Sequence, residues 1–157
     1  MKKKSMMSIP ATICGNSPFV KVQFHEKELL FLVDSGAYGC LINQKYVDLP
    51  DDKQIKQSIL TGLGDTEAVG KDVMLFFTIE SKLFCCPFTA VDLGNTFAQI
   101  EKKVGEVAGI IGGEFLNSYE VAIDYHKKEL CLDEAKRNCL VEEGLKYLKE
   151  QQNTMLI

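Results

Sequence analysis

The sequence has few of the residues that metal centres and histidine-based catalysis require. It contains two histidines, His25 and His126, and each lies beside Lys or Glu in a polar segment that predicts a hairpin turn. The six cysteines form no Cys-x-x-Cys pair and have no spacing typical of zinc ligands. We therefore expect no metal and no cofactor. The cysteines are expected to be free, mostly buried thiols: Cys14, Cys40, Cys85, Cys86, Cys131 and Cys139.

The chain also lacks an excess of positive charge and a long apolar segment. Its formal net charge is -4 and its sequence pI is about 5.2, which argues against nucleic acid as a partner. No apolar run is long enough to cross a bilayer, and no apolar stretch follows the basic residues 2–4 as it would in a signal peptide. These absences predict a cytoplasmic protein that binds neither nucleic acid nor membrane.

No linker-like or low-complexity segment interrupts the chain, which is 46% hydrophobic. This composition suffices for one core, so we predict a single domain over residues 1–157. Its core is expected at about residues 8–133, followed by a C-terminal helical extension at about residues 134–152. The apolar residues of the extension recur at helical spacing: Leu140, Val141, Leu145 and Leu148. The acidic and basic residues of this helix are expected to form a solvated face, and the helix is expected to dock on the sheet.

The most informative segment is residues 29–37, in which five apolar residues lead into Asp34-Ser35-Gly36-Ala37. The apolar run predicts a buried strand, because no alternation leaves one face polar. Burying an unpaired carboxylate costs several kcal/mol, so Asp34 is either held by partners or kept for chemistry. Gly36 allows backbone conformations that a β-carbon resists, and Ser35 places a hydroxyl beside the acid. An aspartic protease requires this arrangement where it activates water.

Apolar segments separated by turn residues predict a series of short strands. Strands are predicted at 12–14, 19–24, 29–33, 40–42, 55–60, 73–79, 84–91, 110–111, 121–125 and 129–132. Short helices are predicted from Asn43 to Val47, over 95–103 and over 114–117.

Three segments, in this order, resemble the retropepsin-like aspartic protease family, a single-lobe family of clan AA. Residues 31–37 resemble the active-site motif, in which two apolar residues precede Asp-Thr/Ser-Gly-Ala. Residues 62–65 (Gly-Leu-Gly-Asp) lie where such proteins have a glycine-rich flap. Residues 109–116 resemble the apolar-apolar-Gly segment, and residues 121–125 resemble the strand that follows it. The resemblance covers about residues 8–133.

The resemblance implies a mostly β fold: a closed acid-protease barrel with a short helix after the second Gly turn and a C-terminal helix. It also implies an aspartic endopeptidase that hydrolyses extended polypeptides as a homodimer, because one catalytic Asp in each chain supplies half of a dyad. The residues that it implies are the catalytic Asp34, the active-site turn Ser35, Gly36 and Ala37, the flap Gly62, Leu63, Gly64 and Asp65, and Ile110, Ile111 and Gly112 of the second segment.

Other interpretations remain open. Asp34 could cap a turn through backbone amides, in a non-catalytic relative that binds peptides or dimerises. Asp34 and Asp124 could form a dyad within one chain, although Asp124 is expected to cap its own hairpin turn. Ser35 as a nucleophile has no histidine in a suitable motif. The glycines from Gly105 to Gly113 lack the Gly-Lys-Ser/Thr ending of a phosphate loop.

The C-terminal extension is a departure from the family. Retroviral members close their dimer with strands from both termini, whereas a helix is predicted at the C-terminal end of this sequence.

Overall fold

The computed structural model describes residues 5–49, 57–60 and 68–152, and within these ranges the chain forms two β-sheets and three α-helices. The strands are β1 (Met6–Pro10), β2 (Thr12–Cys14), β3 (Ser17–Phe24), β4 (Lys27–Val33), β5 (Leu41–Asn43), β6 (Gln57–Leu60), β7 (Ala68–Ile79), β8 (Lys82–Val91), β9 (Val107–Ile111), β10 (Ala122–Asp124) and β11 (Glu129–Asp133). The helices are α1 (Ala98–Val104), α2 (Gly113–Ser118) and α3 (Glu134–Gln152), and a 3-10 turn spans Gln44–Tyr46.

Six strands of the larger sheet close into a barrel. Their order is β3-β4-β9-β5-β8-β7, and the ring closes where β3 pairs with β7 at Gln23 and Thr78. Alternate side chains of these strands point into the barrel. There, Phe88 packs edge to face against Phe31 and Phe77, with ring centroids 5.8 Å apart in both pairs. This architecture confirms the prediction of a mostly β fold with a closed barrel.

β9 lies between β4 and β5. The C-terminal ends of β4 and β9 therefore lie side by side at one rim of the barrel. β9 runs parallel to β4, with Val33 opposite Ile111, and antiparallel to β5. All five residues of β9 are buried, because its side chains pack into core clusters on both faces of the sheet, Ala108 and Ile111 on one side and Val107 and Ile110 on the other. A β-carbon on Gly109 would lie 1.9 Å from the carbonyl oxygen of Leu41, so only glycine allows β9 to approach β5 this closely.

The smaller sheet has the strand order β1-β11-β10. β1 and β11 are antiparallel, with Ile9 opposite Leu130, and both of these side chains and Leu132 are buried in the core. The sequence pattern does not predict β1, because Ile9 is its one buried residue and its pairing partner is distant in the sequence.

α3 packs against β8, as the sequence predicts for the C-terminal helix. A β-carbon on Gly144 would lie 2.4 Å from Cys85 Sγ, so the helix and the strand are in close contact. The prediction that the charged residues of α3 are solvated is wrong for Arg137, which is buried. Its Nη1 donates to the carbonyl oxygen of Leu83 at 2.8 Å, and its guanidinium lies 5.8 Å from the ring centroid of Phe84.

The short helices are found close to their predicted positions, as α1, α2 and the 3-10 turn. Asn43 Oδ1 accepts a hydrogen bond from the backbone N–H of Lys45 at 3.3 Å and so caps that turn. All six cysteines are free, but only Cys40, Cys85 and Cys86 are buried, and Cys139 is exposed. None of the helices in the described ranges is long and apolar enough to cross a membrane.

Candidate active site

Asp34 stands directly after the last residue of β4, at the rim of the barrel. Its backbone N–H donates to the carbonyl oxygen of Ile111 at 3.0 Å, which extends the pairing of β4 with β9 by one residue. The apolar run of β4 is needed inside the barrel, and the chain leaves the sheet where that run ends. As a result, the side chain of Asp34 is only half-buried.

The turn after Asp34 fixes the orientation of its carboxylate. The N–H of Gly36 donates to Asp34 Oδ1 at 2.9 Å, and the N–H of Ala37 donates to the carbonyl oxygen of Asp34 at 3.2 Å. A β-carbon on Gly36 would lie 3.2 Å from Asp34 Oδ1, which is a tight contact. The turn therefore brings a backbone donor to the carboxylate, and glycine leaves the space for it. Ser35, within the turn, is exposed.

The second predicted segment supports this loop from behind. The N–H groups of Gly113 and Glu114 donate to the carbonyl oxygens of Ala37 and Tyr38, at 2.7 Å and 2.9 Å. Ile110 and Ile111 are buried in β9 immediately before this contact. The structure thus brings together residues 34–40 and residues 110–114, which the sequence identifies separately as two candidate segments.

Two features of the loop are not apparent from the sequence. Tyr38 is 95% exposed, although its own carbonyl oxygen and that of Ala37 accept the hydrogen bonds from α2 described above. At the end of the loop, Cys40 is buried with its Sγ 3.9 Å from that of Cys86, and it accepts a hydrogen bond from the N–H of Gly112 at 3.4 Å. The thiol of Cys86 lowers the pKa of Cys40 by hydrogen bonding to its sulfur. The same bond, together with burial, raises the pKa of Cys86.

A second polar cluster joins the 3-10 turn to the residue before β9. Lys45 Nζ and Tyr46 OH both donate to Glu106 Oε1. These hydrogen bonds, the one from Lys45 above all, lower the pKa of Glu106. Burial, followed by the hydrogen bond to Glu106, raises the pKa of Tyr46 to about 12. Lys45 and Glu106 are exposed and Tyr46 is half-buried, and their contacts join the end of β5 to the start of β9.

The other site candidates that the sequence singles out are the flap residues and Asp124. The flap candidates Gly62, Leu63, Gly64 and Asp65 lie outside the described residues. Asp124 ends β10 in the smaller sheet, and its Oδ1 accepts a hydrogen bond from the N–H of Lys127 at 2.9 Å, as expected for a residue that caps its own hairpin turn. Within the described ranges, no group of three His, Cys, Asp or Glu side chains is arranged to hold a metal ion.

The part of the chain that contains this loop, β9 and α2 matches the sequence model of a known family. The model of the retroviral aspartyl protease family matches residues 15–124. The chain belongs to the retroviral aspartyl protease family. The residues matched include both segments of the candidate site, whereas β1, β2, β11 and α3 lie outside them. The predicted retropepsin-like family is thereby confirmed.

A solved structure shows the same fold. The crystal structure of a retropepsin-like aspartic protease from Rickettsia conorii has a TM-score of 0.51 and 20% sequence identity to this chain, and the match covers 85% of this chain and 96% of that one. No curated protein matches the chain significantly.

Proposed function

We propose that the protein is an aspartic endopeptidase that hydrolyses peptide bonds of extended polypeptides as a homodimer. The observation that carries the proposal is the position of Asp34, whose carboxylate is oriented by the Gly36 amide at the rim of the barrel. The chain belongs to a family of aspartyl proteases, and this residue lies within the matched segment. One such Asp in each chain supplies half of a dyad, so a second copy is required.

In the proposed dimer, the two Asp34 carboxylates face each other across a two-fold axis. Two carboxylates in contact cannot both ionise readily, so they share one proton and titrate as a coupled pair. The ionised carboxylate takes a proton from water, and the water oxygen attacks the carbonyl carbon of the peptide bond. The protonated carboxylate polarises the carbonyl oxygen. The C–N bond then breaks, and the carboxyl group that took the proton from water gives it to the nitrogen of the leaving amine.

The neighbouring residues are proposed to hold this dyad in place. Exposed Ser35 is proposed to bond across the dimer, next to the backbone turn formed by Gly36 and Ala37. Buried Ile110 and Ile111 anchor the segment from which Gly112 contacts the loop.

The substrate is proposed to bind as an extended strand beside this loop. Residues 62–65 are proposed to act as the flap over it, since they follow β6 and precede β7 in the sequence. Alternate side chains of the bound peptide would enter apolar pockets. Residues 1–157 are proposed to act together as one domain, with α3 as an extension of the barrel.

A peptide library tests the proposal directly. Wild-type protein at micromolar concentration is incubated with the library from acidic to neutral pH, beside Asp34→Asn and Asp124→Asn, and the products are identified by mass spectrometry. Asn keeps an Oδ1 that can accept the Gly36 N–H, so Asp34→Asn is expected to fold and to lose cleavage. Asp124→Asn makes the same chemical change in a hairpin turn, and this variant is expected to cleave the library as the wild type does.

Equal cleavage by wild-type protein and Asp34→Asn would contradict the assignment of Asp34. No cleavage by a folded, dimeric wild-type protein would instead favour a non-catalytic member of the family that binds peptides.

A further inference from the structure

Two buried thiols lie directly behind the active-site loop. Cys40 ends the loop that begins at Asp34, and Cys86 lies in β8. Their Sγ atoms are 3.9 Å apart, and the two residues are 1% and 3% exposed. The proposed peptidase mechanism uses neither thiol, so the contact between them calls for a separate explanation.

We propose that Cys40 and Cys86 form a redox pair, which hydrogen peroxide oxidises to a disulfide that ties the active-site loop to β8 and lowers peptidase activity. The disulfide is inferred from the geometry of the two thiols alone. The effect on activity rests on the proposed function.

Cys40 is suited to react first, because its sulfur lies near two hydrogen-bond donors, the N–H of Gly112 at 3.4 Å and the thiol of Cys86. Such donors stabilise a thiolate, which is the reactive form of cysteine. The thiolate attacks one oxygen of hydrogen peroxide: an S–O bond forms, the O–O bond breaks, and the departing hydroxide takes a proton and leaves as water.

Cys86 then attacks the sulfur of the resulting sulfenic acid. An S–S bond forms, and the sulfenic oxygen leaves as a second water with the proton of the Cys86 thiol. Overall, two thiols lose two electrons and two protons, and one peroxide is reduced to two waters.

Closing this bond is expected to move the loop. A disulfide is about 2.05 Å long, so the two sulfurs must approach each other by about 1.9 Å. Cys86 is held in β8 by its pairing with β7, opposite Leu75, whereas one backbone hydrogen bond, from the N–H of Thr89 to the carbonyl oxygen of Cys40 at 2.9 Å, ties this end of the loop to β8. We therefore expect the loop to move more than β8 does. As Cys40 moves towards Cys86, its sulfur leaves the N–H of Gly112, one of the contacts that position the loop. Misplacing reacting groups by about 1 Å can cost about a hundredfold in rate, so we expect oxidation to lower activity by at least about tenfold.

The other thiols of the region have different surroundings. Cys85 precedes Cys86 in β8 and faces α3, where its Sγ lies 3.6 Å from the carbonyl oxygen of Leu140. Cys139 is exposed on α3 and is expected to be oxidised without any effect on the loop. Both therefore serve as controls.

The experiment maps the disulfide and measures activity in the same samples. Reduced wild-type protein is treated with hydrogen peroxide, the remaining thiols are alkylated in denaturant, and the protein is digested with trypsin. Cys40 falls in the tryptic peptide 28–45, and Cys85 and Cys86 fall in the tryptic peptide 83–102. We expect these two peptides to be joined, two hydrogens lighter than their sum, and to be separated again by dithiothreitol, with recovery of activity.

Single variants assign the partner of Cys40. Cys86→Ala is expected to remove the cross-link and to keep its peptidase activity in peroxide. Cys85→Ala and Cys139→Ser are expected to form the cross-link and to lose activity on oxidation as the wild type does. Should a buried substitution impair folding, fragmentation of the joined wild-type peptides by tandem mass spectrometry distinguishes Cys86 from Cys85 as the partner of Cys40.

A cross-link that forms and reverses together with the activity supports the proposal. Oxidised protein in which peptides 28–45 and 83–102 stay separate overturns it, and so does a complete cross-link with unchanged activity. If the reduced wild-type protein is inactive, the proposed function fails, and the cross-link alone then decides whether the two thiols are a redox pair.

Discussion

Gly112 and the carbonyl group of Gly39 are in direct contact: a β-carbon on Gly112 would lie 2.1 Å from that oxygen and 2.9 Å from the carbonyl oxygen of Ala37. The atoms in the way belong to the backbone, so no side-chain rotation can make room. The loop that contains Asp34 and the segment after β9 are therefore shaped to fit each other.

The first prediction concerns this contact. Gly112→Ala is expected to push the loop away from β9, to destabilise the protein by about 1–3 kcal/mol and to abolish peptidase activity. Urea denaturation and the peptide assay measure the two effects. Gly39→Ala is the matched control, because the nearest atom to its β-carbon is Glu114 Oε2 at 3.9 Å. A Gly112→Ala protein as stable as Gly39→Ala would show that the contact is not needed.

The second prediction concerns the dimer. If each chain supplies one Asp of the dyad, specific activity falls when the protein is diluted below the dissociation constant of the dimer. Sedimentation velocity over the same concentrations should show the matching change from dimer to monomer. Specific activity that is constant while the protein dissociates would contradict a shared site.

Mixing offers an independent form of the same test. An excess of inactive Asp34→Asn protein is expected to lower the activity of the wild type, because mixed dimers contain half a dyad. Excess Asp124→Asn protein should have no such effect.

The third prediction concerns Tyr119, which is 1% exposed. Its hydroxyl donates to the carbonyl oxygen of Cys85 at 2.7 Å and accepts from the N–H of the same residue at 3.0 Å. Tyr119→Phe leaves both backbone groups without this partner, and the expected loss of stability is about 1–3 kcal/mol. Tyr147→Phe removes a hydroxyl from a half-exposed side chain and should change stability by less than about 0.5 kcal/mol. Chemical denaturation of the two variants distinguishes them.

The fourth prediction concerns pH. The hydrogen bonds from Lys45 and Tyr46 hold the pKa of Glu106 below its ordinary value in the folded protein. The stabilisation is therefore present above the ordinary pKa of a glutamate and is lost as the pH falls through the lower folded pKa. Glu106→Gln should melt below the wild type at neutral pH, and the gap should close in acid. A difference in melting temperature between wild type and Glu106→Gln that is constant with pH would contradict the prediction.

The elements that the sequence predicts are those with a strong local pattern. The apolar run before Asp34 identifies β4, and turn residues identify the hairpin of β7 with β8. The active-site segments are recognisable because Asp-Ser-Gly and Ile-Ile-Gly follow apolar runs. β7 begins earlier than predicted, at Ala68, because residues 68–71 pair with β6, and the polar residues Lys71 and Asp72 also pair with β8.

Features that depend on tertiary contacts are not predictable in this way. The contact of Cys40 with Cys86 arises from the neighbouring positions of β5 and β8, which no local pattern contains. Arg137 is buried because its donors reach Leu83 and Asn138, whereas a charged residue in a helix is otherwise expected to face solvent.

The pairing of β1 with β11 affects the order in which the chain can fold. Ser8 and Cys131 are neighbours in this sheet but are 123 residues apart in the sequence. During synthesis β1 leaves the ribosome long before its partner exists, so the smaller sheet forms only after residues near Asp133 have emerged. Contacts of such long sequence separation slow folding. Until they form, β1 presents unpaired backbone groups to whatever strand edge is nearby.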